Sequence, residues 1–244
     1  MTQFQGIDWV GDWLVASVDS CDSTMTAIDD LVRQSPEHTI FLYTFGQKSG
    51  RGQMGRNWEE EPGKSLALTL AYPRERLSEN TDWVALNKQL SSSALMALQR
   101  VCPVPLLLKW PNDVYRGTRK LAGILQELRS EHLLFGLGVN LFERSWPEGV
   151  NGAALWPSDK GFVGELLECL QHHMALPHVQ SMPAERFNKA LMFMGETVQI
   201  QWATGAIQEA IFCGVDERGS AILEIENQRK AYAHGQVRLL TPTK

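Results

Sequence analysis

Cysteine is scarce and scattered in this chain. Cys21, Cys102, Cys169 and Cys213 are the only four, and they form no C-x-x-C pair, so neither a zinc site nor a disulfide framework is expected. Reduced core thiols are the reading that remains. Long apolar runs are missing too: no stretch of about 18 apolar residues is available to span a bilayer, and no basic-plus-apolar signal opens the chain. A cytoplasmic location is the expectation. Positive charge is not in excess, since 23 Lys+Arg against 28 Asp+Glu leave a net charge of −5. That balance excludes a surface that tracks nucleic acid throughout, but it allows a local basic loop. Repeats and low-complexity segments are absent. What is present is 43% hydrophobic and 21% charged residues over 244 positions, ordinary for one large domain plus a small one.

The most informative stretch is Gln47 to Trp58, where three glycines (Gly50, Gly52, Gly55) and three cations (Lys48, Arg51, Arg56) share one loop. Glycine lets a backbone approach closely and the cations meet negative charge, a combination that suits a phosphate cradle. The spacing also fits G-x-G-x-x-G, but a dinucleotide fingerprint needs a helix to open at the loop. Here Glu59-Glu60-Glu61-Pro62-Gly63 and a strand follow instead. A Walker loop fails because Arg56-Asn57 stands where Lys-Ser/Thr is required, and no His-Arg-Asp element supports a kinase. A solvated Gly/Arg turn is the alternative. The three glutamates read as solvated surface.

Around this loop the pattern alternates strands and helices. Trp13–Val18 reads as a strand ending in Asp19-Ser20-Cys21-Asp22-Ser23-Thr24, where Asp22 or Ser23 can cap a helix with Met25, Ile28, Leu31 and Val32 on its buried face. Thr39–Phe45 and Ser65–Tyr72 are strands that enter and leave the glycine loop. Thr81–Val101 has helical spacing, with Trp83, Leu86, Leu90, Leu95, Met96 and Leu98 as its apolar face. Leu106–Leu108 reads as a buried strand that runs into Lys109-Trp110-Pro111-Asn112-Asp113, a place where function or a plain turn fits equally. Val114-Tyr115 and Arg119–Leu125 form a hairpin around Gly117, and Leu133–Asn140 a further strand whose glycines admit a close neighbour. A connection from Arg144 to Asp159 precedes two helices, one on Phe162, Leu166, Leu167 and Leu170, the other on Phe187, Leu191 and Met192. After Gly195 the period becomes two, with Val198, Ile200 and Trp202, then Ile222 and Glu224 beyond the turn Asp216–Gly219. A domain boundary falls near Phe193, giving residues 1–193 and 194–244.

Four separated stretches together resemble the biotin protein ligases, also called biotin–acetyl-CoA-carboxylase ligases. They are Asp22-Ser23-Thr24; Gln47 with Gly50-Arg51-Gly52 through Gly55-Arg56-Asn57-Trp58; Lys109 to Asp113; and Arg119 to Leu125 followed by Gly136 to Asn140. The resemblance implies an α+β fold: a mixed β-sheet catalytic domain with packed helices, akin to class II aminoacyl-tRNA synthetases, plus a small C-terminal SH3-like β-barrel. It implies a ligase that uses biotin and Mg-ATP as substrates to make biotinyl-5′-AMP, then biotinylates a lysine of a biotin carboxyl carrier domain. Lys120, Arg51 and Asp113 are implied as catalytic. Ser23, Thr24, Gln47, Gly50, Arg51, Gly52, Gln53, Lys120 and Gly123 are implied to meet biotin. Arg51, Gln53, Arg56, Trp58, Lys109, Asn112, Lys120 and Asn140 are implied to meet ATP or the adenylate, with no dedicated metal site.

Two positions depart from the family pattern: Met25 stands where Asn is frequent, and Gln53 where a further Arg is frequent. Only about twenty residues precede Asp22-Ser23-Thr24, too few for an independently folded DNA-binding domain, so no operator binding is expected. A homodimer is compatible with the sequence. The alternatives are a lipoate or octanoate ligase or transferase of the same fold, or a non-catalytic biotin or nucleotide sensor.

Overall fold

Two β-sheets and a two-stranded hairpin carry the described residues, which in the computed structural model are 3–77, 81–129, 131–156, 162–175 and 183–240. Strands β1 (Gln5–Val10) and β2 (Trp13–Ser17) precede helix α1 (Thr24–Gln34) and β3 (Thr39–Thr44). The glycine loop then contributes two short strands, β4 (Gly50–Arg51) and β5 (Asn57–Trp58), before the long β6 (Ser65–Pro73). After α2 (Trp83–Val101) come β7 (Leu106–Lys109), β8 (Asp113–Arg116), β9 (Arg119–Arg129) and β10 (His132–Asn140). Helices α3 (Val163–Met174) and α4 (Ala184–Asn188) lead into β11 (Thr197–Trp202), β12 (Ile207–Val215), β13 (Ala221–Ile225), β14 (Gln228–Tyr232) and β15 (Val237–Leu239).

The large sheet has the order β1-β2-β3-β6-β10-β9-β8-β7, and β11–β15 make a five-stranded sheet of order β14-β13-β12-β11-β15. Only β2 and β3 run parallel in the large sheet; the rest pair antiparallel, so the sheet is mixed as the fold class requires. β1 was not anticipated, because its six residues are all exposed and show no alternation of burial.

Alternation across the pleat assigns the two faces. On one, Leu66, Leu68, Leu70, Phe135, Leu137 and Val139 join Leu86, Leu90 and Leu98 of α2 and Leu166 and Leu170 of α3. On the other, Ile40, Leu42, Ala71 and Leu134 pack against Met25, Ile28 and Leu31 of α1. Several expected core residues stay outside. Trp83, Met96 and Phe162 are exposed, because α2 and α3 need only a stripe of apolar residues and Ala94 and Ala97 complete that of α2. Leu191 and Met192 leave α4 and pair with β7, through Leu108 N–H to Ala190 O and Met192 N–H to Leu108 O. In β13 the buried pair is Ala221 and Leu223, with Ile222 and Glu224 half-exposed.

The connection after β10 is described as far as residue 156, so the end of the expected Arg144–Asp159 segment lies outside the described residues. It turns back on the sheet, where Gly152 bridges Lys120 and Trp156 bridges Phe142. The Trp110–Pro111 peptide is cis. The five-stranded sheet docks by side chain to backbone: Trp110 Nε1 donates to Gly219 O at 2.9 Å, and buried Lys88 donates to the carbonyls of Asp216 and Glu217. Among the described residues no helix is long and apolar enough to cross a membrane.

Candidate active site

A cleft of about 130 Å³ opens on the α1 face of the large sheet, where the strand residues become small. Along β10 the same-face series is Leu134, Gly136, Gly138, Asn140, and the partner residues on β6 are Ala71, Thr69, Ala67 and Ser65. Leu134 and Ala71 still support α1, whereas Gly136, Gly138 and Ala67 leave a floor without bulk. A Cβ on Gly138 would lie 2.4 Å from the Trp58 ring, and one on Gly136 would lie 2.9 Å from Met25 Sδ. The glycines are therefore spaces for neighbours and not flexible joints.

The start of α1 reaches the same cleft. Ser23 occupies the N-cap position in extended geometry (φ −151, ψ 131), yet its hydroxyl makes no capping bond. Its Oγ is buried without a hydrogen-bond partner, which corrects the expected cap. The first N–H of the helix is met from outside: Thr24 N–H donates to Gln47 Oε1 at 2.9 Å and the Thr24 hydroxyl to the same oxygen at 3.2 Å. Thr69 Oγ1 donates in turn to Thr24 Oγ1 at 2.9 Å. Gln47 Nε2 donates to Glu60 Oε1 at 2.7 Å. Glu60 was expected to be solvated surface and is instead mostly buried, and that burial pushes its carboxyl up to about 7 against the pull of the Gln47 bond and Arg144. A run of three glutamates carries no sequence signal that singles out the middle one.

The glycine loop is a small hairpin, β4 pairing β5 through Gly50–Trp58 and Arg51–Asn57, closed by a 3-10 turn over Gln53–Gly55. Gly50 does not line the cleft; a Cβ there would meet Gln47 Nε2 at 2.6 Å, so its role is to let Gln47 pass. Arg51 lies at the rim with Nη2 at 3.5 Å from Glu127 Oε2. Arg51, Gly52, Gln53, Arg56 and Trp58 all line the cleft.

Lys120 comes from β9. It lies three positions from Gly123, so simple alternation would send the two to opposite faces. The register shifts between Val114 and Tyr115, which pair with Ala122 and Lys120, leaving Leu121 unpaired as a β-bulge. That extra residue turns Lys120 onto the cleft face, where its Nζ lies 2.8 Å from Asp113 Oδ1 and 5.4 Å from the Trp58 ring centroid. Asn112 is fixed by donating to the Ile124 carbonyl. Ser23, Thr24, Gln47, Asn112, Asp113, Lys120 and Gly123 thus meet in one place.

Besides Gly50, two expected residues are elsewhere. Lys109 is buried against the Tyr115 ring in an adjoining cavity of about 230 Å³, shared with Arg56, Lys120 and, from the second sheet, His234 and Arg238. Burial lowers its pKa to about 8, with Asp113 pulling upward and the surrounding cations downward. Asn140 does not line the cleft; its Nδ2 donates to Lys120 O at 3.3 Å and its Oδ1 accepts from Arg144 Nη2 at 3.5 Å. Among the described residues there is no group of three or more His, Cys, Asp and Glu able to hold a metal ion.

The large sheet thus brings a helix N-terminus, a Gly-Arg hairpin and a lysine–aspartate pair together on one face. The chain belongs to the biotin/lipoate A/B protein ligase family, whose model matches residues 17–141. It is similar to the bifunctional ligase/repressor BirA of Escherichia coli, 27% identical over 220 residues, covering 81% of this chain and 65% of BirA. It is also similar to the biotin–[acetyl-CoA-carboxylase] ligase of Mycobacterium tuberculosis, 25% identical over 209 residues, covering 81% and 78% of the two chains. The chain thus spans just under two thirds of the E. coli relative's length. Among solved structures, biotin protein ligase from Aquifex aeolicus in complex with biotin and ATP shares the fold, with TM-score 0.73 and 22% identity over 93% of this chain and 99% of that one.

Proposed function

We propose that this protein is a biotin–protein ligase, which joins biotin to ATP as biotinyl-5′-AMP and transfers biotin to one lysine of a carboxyl carrier domain. The observation that carries this reading is the Lys120–Asp113 pair, 2.8 Å apart, in the cleft that Ser23, Thr24 and Gln47 also line. The likeness to ligases solved with biotin and ATP supports it. Residues 1–193 are proposed as the catalytic unit and 194–244 as the C-terminal SH3-like module.

In the first step a carboxylate oxygen of biotin attacks the α-phosphorus and pyrophosphate leaves. Both reactants are anions, so catalysis needs fixed positive charge where phosphoryl charge grows. Lys120, Arg51 and Arg56 border the cleft and supply it. The hydroxyls of Ser23 and Thr24 and the amide of Gln47 satisfy the ureido ring in an otherwise apolar floor. Trp58 offers its ring to adenine. Magnesium would enter with ATP as part of the substrate: among the described residues Asp113 is the one carboxylate lining the cleft and it is held by Lys120, so the phosphates and water would carry the ion.

The second step needs a neutral amine at the acyl carbon. When phosphate draws Lys120 to itself, Asp113 is released to take the proton of the incoming lysine, and AMP leaves. The test is to incubate the pure protein with biotin, Mg-ATP and an apo carrier domain and weigh the carrier. A gain of one biotinyl group is expected; an unmodified carrier, or labelling by lipoate in place of biotin, rejects the reading.

A further inference from the structure

We propose that Glu60 is a positioning residue: it holds the Gln47 amide in one orientation so that a cyclic urea is recognised in the cleft. This rests on the biotin reading above. A glutamine amide has nearly the same shape when turned end for end, but its donor and acceptor are exchanged. Thr24 presents two donors to Gln47 Oε1, and Glu60 presents an acceptor to Gln47 Nε2. A turned amide would set its NH2 against the Thr24 N–H and its oxygen against the Glu60 carboxylate. Both ends of the frame therefore select one state, and the second N–H of Nε2 is left for the ligand. Glu60 does not itself line the cleft, so it acts through Gln47.

The bond is strongest when Glu60 is ionised, because a charge-assisted hydrogen bond is roughly twice as strong as a neutral one. The Trp58 indole of β5 faces the carboxyl and favours its ionised form, and the other groups around it come from four segments. Arg144, beyond β10, donates to the neighbouring Glu59 carbonyl at 2.7 Å; Gln47 comes from beyond β3; Cys21, beyond β2, has its thiol pushed up to about 11 by burial and by Glu60; and Glu59 and Glu61 flank it. The carboxyl is raised to about 7, so its charge changes between pH 6 and 8.

Calorimetric titration of biotin into the full chain at pH 6 and pH 8 tests this, with ATP–pyrophosphate exchange for KM and kcat. Wild type should bind about 3-fold tighter at pH 8. Glu60→Ala should weaken binding about 10-fold and raise the KM for biotin, with kcat changed less than about 2-fold. Glu60→Gln, which keeps an acceptor, should restore most of the affinity and lose the pH dependence. Unchanged binding in Glu60→Ala, or a fall in kcat with KM intact, overturns the proposal alone. A wild-type protein that binds no biotin overturns the ligase reading and this one with it.

Discussion

At the scale of the residue, the site sets charge against burial. Lys120 is aimed at the cleft by one unpaired neighbour and held by Asp113. Removing it as Lys120→Ala should cost adenylation about 10² to 10³ in rate while leaving the fold intact, because a preorganised donor is worth roughly 3 to 4 kcal/mol in a transition state. Wild-type pyrophosphate release from a folded variant would remove Lys120 from the reaction. Glu60 carries the opposite cost. Its carboxyl, ordinarily near 4.5, is raised to about 7 by burial, so between those values the folded state keeps a proton that the unfolded state has released. Stability therefore falls as pH rises through that window. Glu60→Gln should remove the slope and gain on the order of 2 kcal/mol at pH 8, with no gain near pH 4. Urea unfolding at the two pH values measures it, and equal differences at both would contradict it.

Elements act through what they leave out. Strand β10 supports α1 with Leu134 and then drops to Gly136 and Gly138, so that Met25 and Trp58 settle on bare backbone. Gly138→Ala should push the Trp58 ring off the sheet, costing about 1 to 3 kcal/mol of stability and weakening nucleotide binding. Unaltered tryptophan fluorescence and melting temperature would show that the ring yields without cost. The β4–β5 hairpin holds Gln53, which borders the main cleft and the Lys109 cavity as well. A cation there would face the phosphate of an adenylate from the turn between the two strands. Gln53→Arg is expected to slow adenylate release several-fold, the difference of about 1 kcal/mol between a neutral and a charge-assisted contact. Equal release rates in a rapid-filtration assay would show that position 53 does not hold the intermediate.

For the whole molecule, the decisive feature is that one hydrophobic cluster runs from the large sheet into the small one, joining Leu108 and Phe187 with Val198, Phe212 and Leu223. Trp110 and Lys88 add hydrogen bonds to the turn Asp216–Gly219 across the same junction. Calorimetry should accordingly give one cooperative unfolding transition, and Trp110→Phe should lower stability by about 1 kcal/mol by leaving the Gly219 carbonyl unpaired. Two resolved transitions would mean that the sheets unfold separately.

The sequence by itself determined most of the elements and singled out many of the residues that the cleft gathers. Periodicity gave α1, α2 and the strands β2, β3, β6, β7, β8 and β10 within a residue or two at most ends, because their apolar spacing is strong, whereas β4 and β5 read as loop and β9 runs four residues past the expected Leu125. The resemblance to a family implied one site for Ser23, Thr24, Gln47, Arg51, Arg56, Asp113 and Lys120 before any of them had a position, and all seven line one cleft. It did not give β1, whose exposed residues carry no pattern, nor the burial of Glu60 between two other glutamates. Only the tertiary structure decided those, along with the placing of Gly50, Lys109 and Asn140 outside the main cleft. The clearest case is Lys120: period-two alternation from Gly123 points it away, and the bulge at Leu121 points it in. Which face a side chain takes is set by pairing between strands, and register is a property of two segments of chain that no single segment encodes.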